Sequence, residues 1–325
     1  MMIYQLTALI LLCFCLIYST GLIVSSIKNL ALKTRLKAFG LTAFLAISTS
    51  LPELMVSIVA ALEGNTSLIL GNIIGSNIAN LSLVIGGAAL IGGTLKVSGD
   101  ILSRDIYLTG AAGFLPIFLI ADGVLSRSDG IVLLVIYLVM ISTFLRVHHQ
   151  NLVTHAIHRS PIRRIFEVMT SIKSNGSSAL KLFMGLAILL TASHFIVQLS
   201  TSLALSTGLP TLFIGLFIVA VGTSLPELAL EMKAIYSGQD KIALGNLLGS
   251  IVANSTLILG ISALIHPLVL THQGLIPYAL AIGAFTLIYF LFFSFVKTKK
   301  KLEWWEGLIL ILGYLVFVWL EFARS

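Results

Sequence analysis

The chain has 325 residues, of which 58% are hydrophobic and only 10% charged, and its net charge is +7. So little polar surface excludes a soluble globular domain of this size. The apolar text runs in long unbroken segments without the alternation of an outer-membrane barrel, which leaves a polytopic helical membrane protein.

Ten spans are predicted, at about 3–24, 38–62, 68–95, 103–121, 128–146, 179–206, 208–235, 241–268, 274–296 and 305–323. No Lys or Arg precedes the first, so it reads as a retained helix and not as a cleaved signal peptide. Its Cys13 and Cys15 read as packed membrane residues without a disulfide. Lys28, Lys33, Arg35 and Lys37 follow it, and Lys96 and Arg104 fall between the third and fourth spans. Arg146 to Lys181 surround the fifth-to-sixth connection, Lys233 and Lys241 the seventh-to-eighth, and Lys297 to Lys301 the ninth-to-tenth. That places 18 Lys and Arg on one side, against Arg127 and Arg324 on the other. The positive-inside rule then puts both termini on the non-cytoplasmic side of the cell membrane, and places the basic charge in topology, not in nucleic-acid binding.

Two stretches organise this text. Residues 49–86 run from TSLPEL to GNIIGSNIANLSLVIG, and residues 223–260 from TSLPEL to GNLLGSIVANSTLILG, aligned at a shift of 174 with 17 of 38 positions identical. The matches include Glu, Asn, Ser and Gly, which apolar composition alone would not align. Five spans per half is odd, so the second half enters the membrane in the opposite sense. The predicted fold is all-α, with ten transmembrane helices as two inverted five-helix repeats and the site between them. The halves are 1–146 and 179–325, with repeat cores at 38–95 and 212–268. A hydrophilic cytoplasmic linker, 147–178, joins them. It carries His148, His149, His155 and His158 and a basic amphipathic segment near 161–172. It reads as a solvated linker lying on anionic lipid, with a metal or pH-sensing role as the other reading.

The chemistry lies in the repeated motif. Glu53 and Glu227 sit deep in apolar spans with no Lys or Arg at matching depth. A carboxylate there is costly unless it has a partner, and two brought together by a two-fold axis call for a cation. Pro52 and Pro226 remove the helical bonds to the carbonyls of Ser48 and Gly222, weakening those near Ala46–Thr49 and Ala220–Thr223. Thr49 shares a helix face with Glu53, Thr223 with Glu227, Ser76 with Asn80 and Ser250 with Asn254. Gly71 with Gly75 and Gly245 with Gly249 make small faces for close helix approach. A donor set of carboxylate, amide, hydroxyl and carbonyl, without Cys or His, suits Ca²⁺ or Na⁺ and not zinc or copper. Each Ser, Thr or Asn taken singly could instead only bridge helices.

TSLPEL with GNIIGSNIAN, and GTSLPEL with GNLLGSIVAN, resemble the two alpha-repeats of the sodium/calcium exchanger family, within the cation/calcium antiporter superfamily. The likeness is to the prokaryotic branch without a regulatory domain. SLPEL favours the sodium-linked branch, because proton-coupled calcium exchangers usually carry a different tetrad around the glutamate. The resemblance implies that Glu53 and Glu227, with the carbonyls of Thr49 and Thr223, hold Ca²⁺. Sodium sites would use Ala46, Ser50, Ser76 and Glu53 from one half and Ala220, Ser224, Ser250 and Glu227 from the other. Asn80 and Asn254 would complete the centre. It also implies alternating access, with the first and sixth spans sliding over spans 2, 3, 7 and 8.

The sequence departs from the family at three places. Asn80 and Asn254 are both Asn, where some relatives have one Asp. Ser48 stands where Gly is usual, although the second copy keeps Gly222. Glu231 and Lys233 replace the pattern of Ser57 and Val59. Glu231 reads as a headgroup-level residue loosely paired with Lys233, or else as an extension of the ion path. The expected function is Na⁺/Ca²⁺ antiport, with the two ions and the lipid bilayer as partners and no permanently bound cofactor. The alternative is H⁺/Ca²⁺ or other divalent-cation exchange on the same fold, and a cation channel is the remote one. No HExxH or nucleophile–base motif lies in the spans, so an enzyme is not expected.

Overall fold

The computed structural model describes residues 2–33, 49–97, 100–150, 176–236, 238, 240–270 and 275–324. The helices are α1 (Met2–Lys33), α2 (Leu51–Leu62), α3 (Thr66–Gly92), α4 (Asp100–Leu119), α5 (Arg127–Gln150), α6 (Gly176–Thr207), α7 (Thr211–Tyr236), α8 (Asp240–Val252, continuing to Ile265), α9 (Leu275–Lys299) and α10 (Trp304–Phe322). Among the described residues eight of these are long and apolar enough to cross a membrane. Within those residues α2 is a shorter apolar helix. Several ends differ from expectation. The first helix runs on to Lys33, α5 to Gln150, and α6 begins at Gly176, because helical propensity continues past the apolar window that marked each span. Residues 34–48, with Ala46 and Ser48, and the linker segment 151–175, with His155 and His158, lie outside the described residues.

Burial is inverted relative to a soluble protein. Phe118, Phe183, Leu138 and Leu205 face outward while Glu53, Asn72, Asn80, Thr223 and Glu227 are enclosed, as a lipid surround requires. The span of α3 is 89% buried and that of α8 72%, against 33% for α1, α6, α9 and α10. The repeated text therefore forms the centre and the other spans its lipid-facing shell. On that shell α1 and α6 pack along one another. They are tied near one end by Gln5, whose amide donates to Ser202 Oγ at 2.9 Å and accepts from Ser206 Oγ at 3.1 Å.

Contacts between the halves recur in matched pairs. The strand β1 (Thr94–Lys96), which follows α3, pairs antiparallel with β4 (Lys301–Glu303) before α10. Likewise β3 (Leu268–Val269), which follows α8, pairs with β2 (Val124–Leu125) before α5. The helices beside them cross at glycines. A Cβ on Gly86 would come within 2.7 Å of the Gly307 carbonyl, and one on Gly130 within 2.8 Å of the Gly260 carbonyl. Gly86 and Gly260 are matching positions of the repeat, so the same crossing is built twice. At the start of α10, Lys299, Lys301 and the Trp305 indole all donate to Glu303, holding its carboxyl down at about 2.

Candidate cation-binding site

The site begins where two helices break. Ser50 (φ −88°, ψ 11°) precedes α2, and Ser224 (φ −83°, ψ 1°) interrupts α7 between Thr223 and Leu225. Both breaks lie two residues before a proline, Pro52 and Pro226, which cannot donate to the preceding turn. The near-identical geometry falls in the sparsely used bridge region, common for active-site residues. Each break aims the next carboxylate inward, and Glu53 and Glu227 both have 0% exposure.

The halves then exchange hydrogen bonds reciprocally. Ser50 Oγ donates to Glu227 Oε1 at 3.3 Å, and Ser224 Oγ donates to Glu53 Oε1 at 3.4 Å. Thr49 Oγ1 donates to Asn246 Oδ1 at 3.2 Å, and Thr223 Oγ1 to Asn72 Oδ1 at 3.3 Å. Ser50 also reaches Ser250 Oγ at 3.3 Å, and Ser76 lies 3.5 Å from Thr223 Oγ1. Each of these side chains thus bonds across the halves. No Lys, Arg or His among the described residues forms an ion pair with either glutamate.

The opposite wall comes from α3 and α8. Both open into a π-turn, Asn80–Val84 and Ala253–Ile258, at matching positions of the repeat. A π-turn disturbs the regular ladder of backbone bonds and is frequent at functional sites. Asn80 and Asn254 sit in these turns, fully buried. A third π-turn, Gly215–Val219, lies in α7 where Gly71 and Gly75 press against it. A Cβ on Gly71 would come within 3.0 Å of Gly215 Cα, so this glycine face makes the close approach expected of it, whereas one on Gly245 or Gly249 would meet nothing within 4 Å among the described residues.

Four oxygens are buried here without a hydrogen-bond partner among the described residues: Glu53 Oε2, Glu227 Oε2, Asn80 Oδ1 and Asn254 Oδ1. Buried polar atoms are normally paired, so this concentration marks a place built for something else. The donors are carboxylate, amide and hydroxyl, the ligands of hard cations. Among the described residues no three His, Cys, Asp or Glu side chains converge as a metal cluster, and the two carboxylates are supplemented by neutral oxygens instead.

Of the residues expected at the site, Thr49, Ser50, Glu53, Ser76, Thr223, Ser224, Glu227 and Ser250 belong to this network, and Asn80 and Asn254 line the two π-turns. Ala46 lies outside the described residues. The carbonyl of Ala220 departs from the expectation of a weakened acceptor. It takes the Ser224 N–H at 3.0 Å, the Thr223 hydroxyl at 3.2 Å and the Ser76 hydroxyl at 3.5 Å, because side chains replace what the break disturbs. Glu231 is enclosed and not exposed as the headgroup reading expected: it is 0% exposed and lies beside Asn246, while the side chain of Lys233 lies outside the described ones. Sequence reasoning assigned no role to Asn72, Asn246 or Asn77. Asn72 donates to Ser57 Oγ at 3.2 Å and to the Glu53 carbonyl at 3.4 Å. Asn77 donates to Ser255 Oγ at 2.8 Å and accepts from Asn254 Nδ2 at 3.1 Å. The identity of Asn72 and Asn246 across the repeat was the signal for the first pair. Asn77 faces Ile251 in the repeat and gave none. Cys13 is buried and Cys15 exposed, both as free thiols, and Cys13 packs against Gly222 at the break in α7.

A lipid-facing helical bundle with buried carboxylates and an oxygen-lined interior is the architecture of a membrane cation transporter. The family model described as sodium/calcium exchanger protein matches residues 4–146 and 177–323, and the chain belongs to that family. It is an exchanger, not an enzyme. It is 29% identical over 340 residues to the sodium/calcium exchanger MaX1 of Methanosarcina acetivorans, with 93% of this chain and 94% of that protein covered. The solved structure of the sodium-calcium exchanger NCX_Mj soaked with Na⁺ and Sr²⁺ matches at a TM-score of 0.61 and 25% identity. That match covers 97% of this chain and 98% of the other. The H⁺/Ca²⁺ exchanger CAX matches at a TM-score of 0.71, over 98% of this chain and 87% of that one, at 14% identity. That last likeness is one of fold.

Proposed function

We propose that this protein exchanges Na⁺ for Ca²⁺ across the cell membrane, both ions using Glu53 and Glu227 in turn. The observation that carries this reading is the reciprocal pair Ser50–Glu227 and Ser224–Glu53. Each glutamate keeps one oxygen bonded by the opposite half and one oxygen without a partner among the described residues. The unpartnered oxygens, with Asn80 Oδ1 and Asn254 Oδ1, carry two negative charges and suit one Ca²⁺. The carbonyls of Thr49 and Thr223 complete that Ca²⁺ site, the hydroxyls of Ser50, Ser224, Ser76 and Ser250 serve as ligands for Na⁺, and Ala46 and Ala220 are the further sodium ligands that the family resemblance implies. Ions that share the same two charges cannot occupy them together, and exclusive occupancy is what couples exchange.

The molecule is then two inverted five-helix halves, 1–146 and 179–325, joined by a cytoplasmic linker at 147–178, with ten crossings and both termini non-cytoplasmic. The matched strand pairs and glycine crossings support this two-fold relation. Inversion supplies alternating access, because exchanging the conformations of the halves turns an inward-facing site outward. The pair α1 and α6 is the mobile part over a core of α2, α3, α7 and α8, and Cys13 on α1 already lies against the break beside Ser224. Competition tests the shared site: Na⁺ should displace radioactive Ca²⁺ from purified protein cooperatively at constant pH. Displacement by protons but not by Na⁺ would move the protein to H⁺/Ca²⁺ exchange on the same glutamates.

A further inference from the structure

Glu231 takes no part in the reciprocal hydrogen bonds. It has 0% exposure, neither carboxylate oxygen has a hydrogen-bond partner among the described residues, and no described Lys, Arg or His side chain pairs with it, those of Lys233 and Lys241 lying outside the described ones. The first half has Ser57 at the matching position, where its hydroxyl accepts from the Asn72 amide at 3.2 Å. Asn246, the counterpart of Asn72, has its carbonyl taken by Thr49 and its amide nitrogen beside Glu231. A neutral hydroxyl completes the arrangement in one half, and a carboxylate stands in its place in the other. Glu231 lies one turn beyond Glu227 on the same face, about 6 Å along the axis, and their charges interact. Glu227 Oε2 is itself without a hydrogen-bond partner among the described residues.

We propose that Glu231 and Glu227 hold a Na⁺ ion at a second position on α7, displaced from the Glu53–Glu227 pair towards Tyr236. The proposal rests on the central pair taking Ca²⁺ as described above. Charge decides the ligand class. The central pair takes one Ca²⁺ or two Na⁺ in turn, and in the Na⁺-loaded state Glu231 adds a third negative charge that the membrane interior does not tolerate uncompensated. A monovalent cation restores neutrality, whereas a second divalent ion would overshoot. Oxygen-only donors favour an alkali cation over a transition metal. The position has no counterpart at Ser57, so the two halves of the transport path differ in charge.

The experiment compares wild-type protein, Glu231→Gln and Glu231→Ser in proteoliposomes. It reads Ca²⁺ uptake against internal Na⁺, and the reversal potential that gives the Na⁺ to Ca²⁺ ratio. Glu231→Ser restores the Ser–Asn pair of the first half and carries the comparison if Glu231→Gln does not reach the membrane. The expected result is a ratio lower by one in the variants, with half-saturating Na⁺ shifted about threefold or more. Variants with the wild-type ratio and Na⁺ dependence would overturn the inference, leaving Glu231 a buried neutral carboxyl. Wild-type uptake indifferent to Na⁺ would instead overturn the functional reading, and this inference with it.

Discussion

Glutamine at position 53 is the sharpest single perturbation of the site. The amide keeps the shape of the side chain and an oxygen to accept the Ser224 hydroxyl, now 3.4 Å from Glu53 Oε1, but it removes one of the two central charges. At an effective dielectric constant near 20, a unit charge about 4 Å from another contributes ~4 kcal/mol, and the double charge of Ca²⁺ doubles that. Part of the gain is offset because a buried carboxylate costs several kcal/mol to desolvate and a buried amide less. A net loss of ~4 kcal/mol weakens Ca²⁺ binding about a thousandfold. Glu53→Gln, and its counterpart Glu227→Gln, should therefore abolish Ca²⁺ uptake at micromolar Ca²⁺ in proteoliposomes. The thermal stability of the purified variants should stay at or above wild type, since an uncompensated charge has been removed. Half-saturating Ca²⁺ within about tenfold of wild type in either variant would refute the assignment.

Four further outcomes follow from the same geometry. Ser50→Ala and Ser224→Ala each remove one donor to the opposite glutamate, at about 1–3 kcal/mol. The two should weaken Ca²⁺ by similar factors, and a large disparity would speak against reciprocal roles. A Cβ on Gly75 would meet Ala220 Cβ at 2.7 Å, so Gly75→Val should lower stability by about 1–3 kcal/mol, read as an earlier thermal transition in detergent. Asn77→Ala leaves Asn254 and Ser255 without their bonds across the halves, and should destabilise by about 1–3 kcal/mol while the site charges stay in place. Asn254→Asp adds a charge beside the central pair and should alter cation affinity or the pH profile of transport; unchanged profiles would make Asn254 purely structural.

The parts of this molecule that were legible in the sequence are those where chemistry is improbable. A Glu beside a Pro in apolar text, written twice, announces itself, and so do small residues spaced one turn apart. The reciprocity of the bonds, Ser50 to Glu227 and Ser224 to Glu53, was implied only by the inverted arrangement. The π-turns at Asn80 and Ala253 left no trace, since one extra residue in a turn barely disturbs an apolar pattern. Short strands such as Leu268–Val269 are too brief to show a period and are set by the turns around them. Glu231 was misplaced because distance from the helix end was taken as exposure. Packing of α7 against α8 covers that end instead.

The most direct test of the account is Ca²⁺ uptake into proteoliposomes loaded with Na⁺, against vesicles loaded with K⁺ or choline, at equal pH on both sides. The account predicts uptake with internal Na⁺ and none without it. Uptake that ignores Na⁺ and follows an imposed pH gradient, or that proceeds with neither gradient, would contradict it.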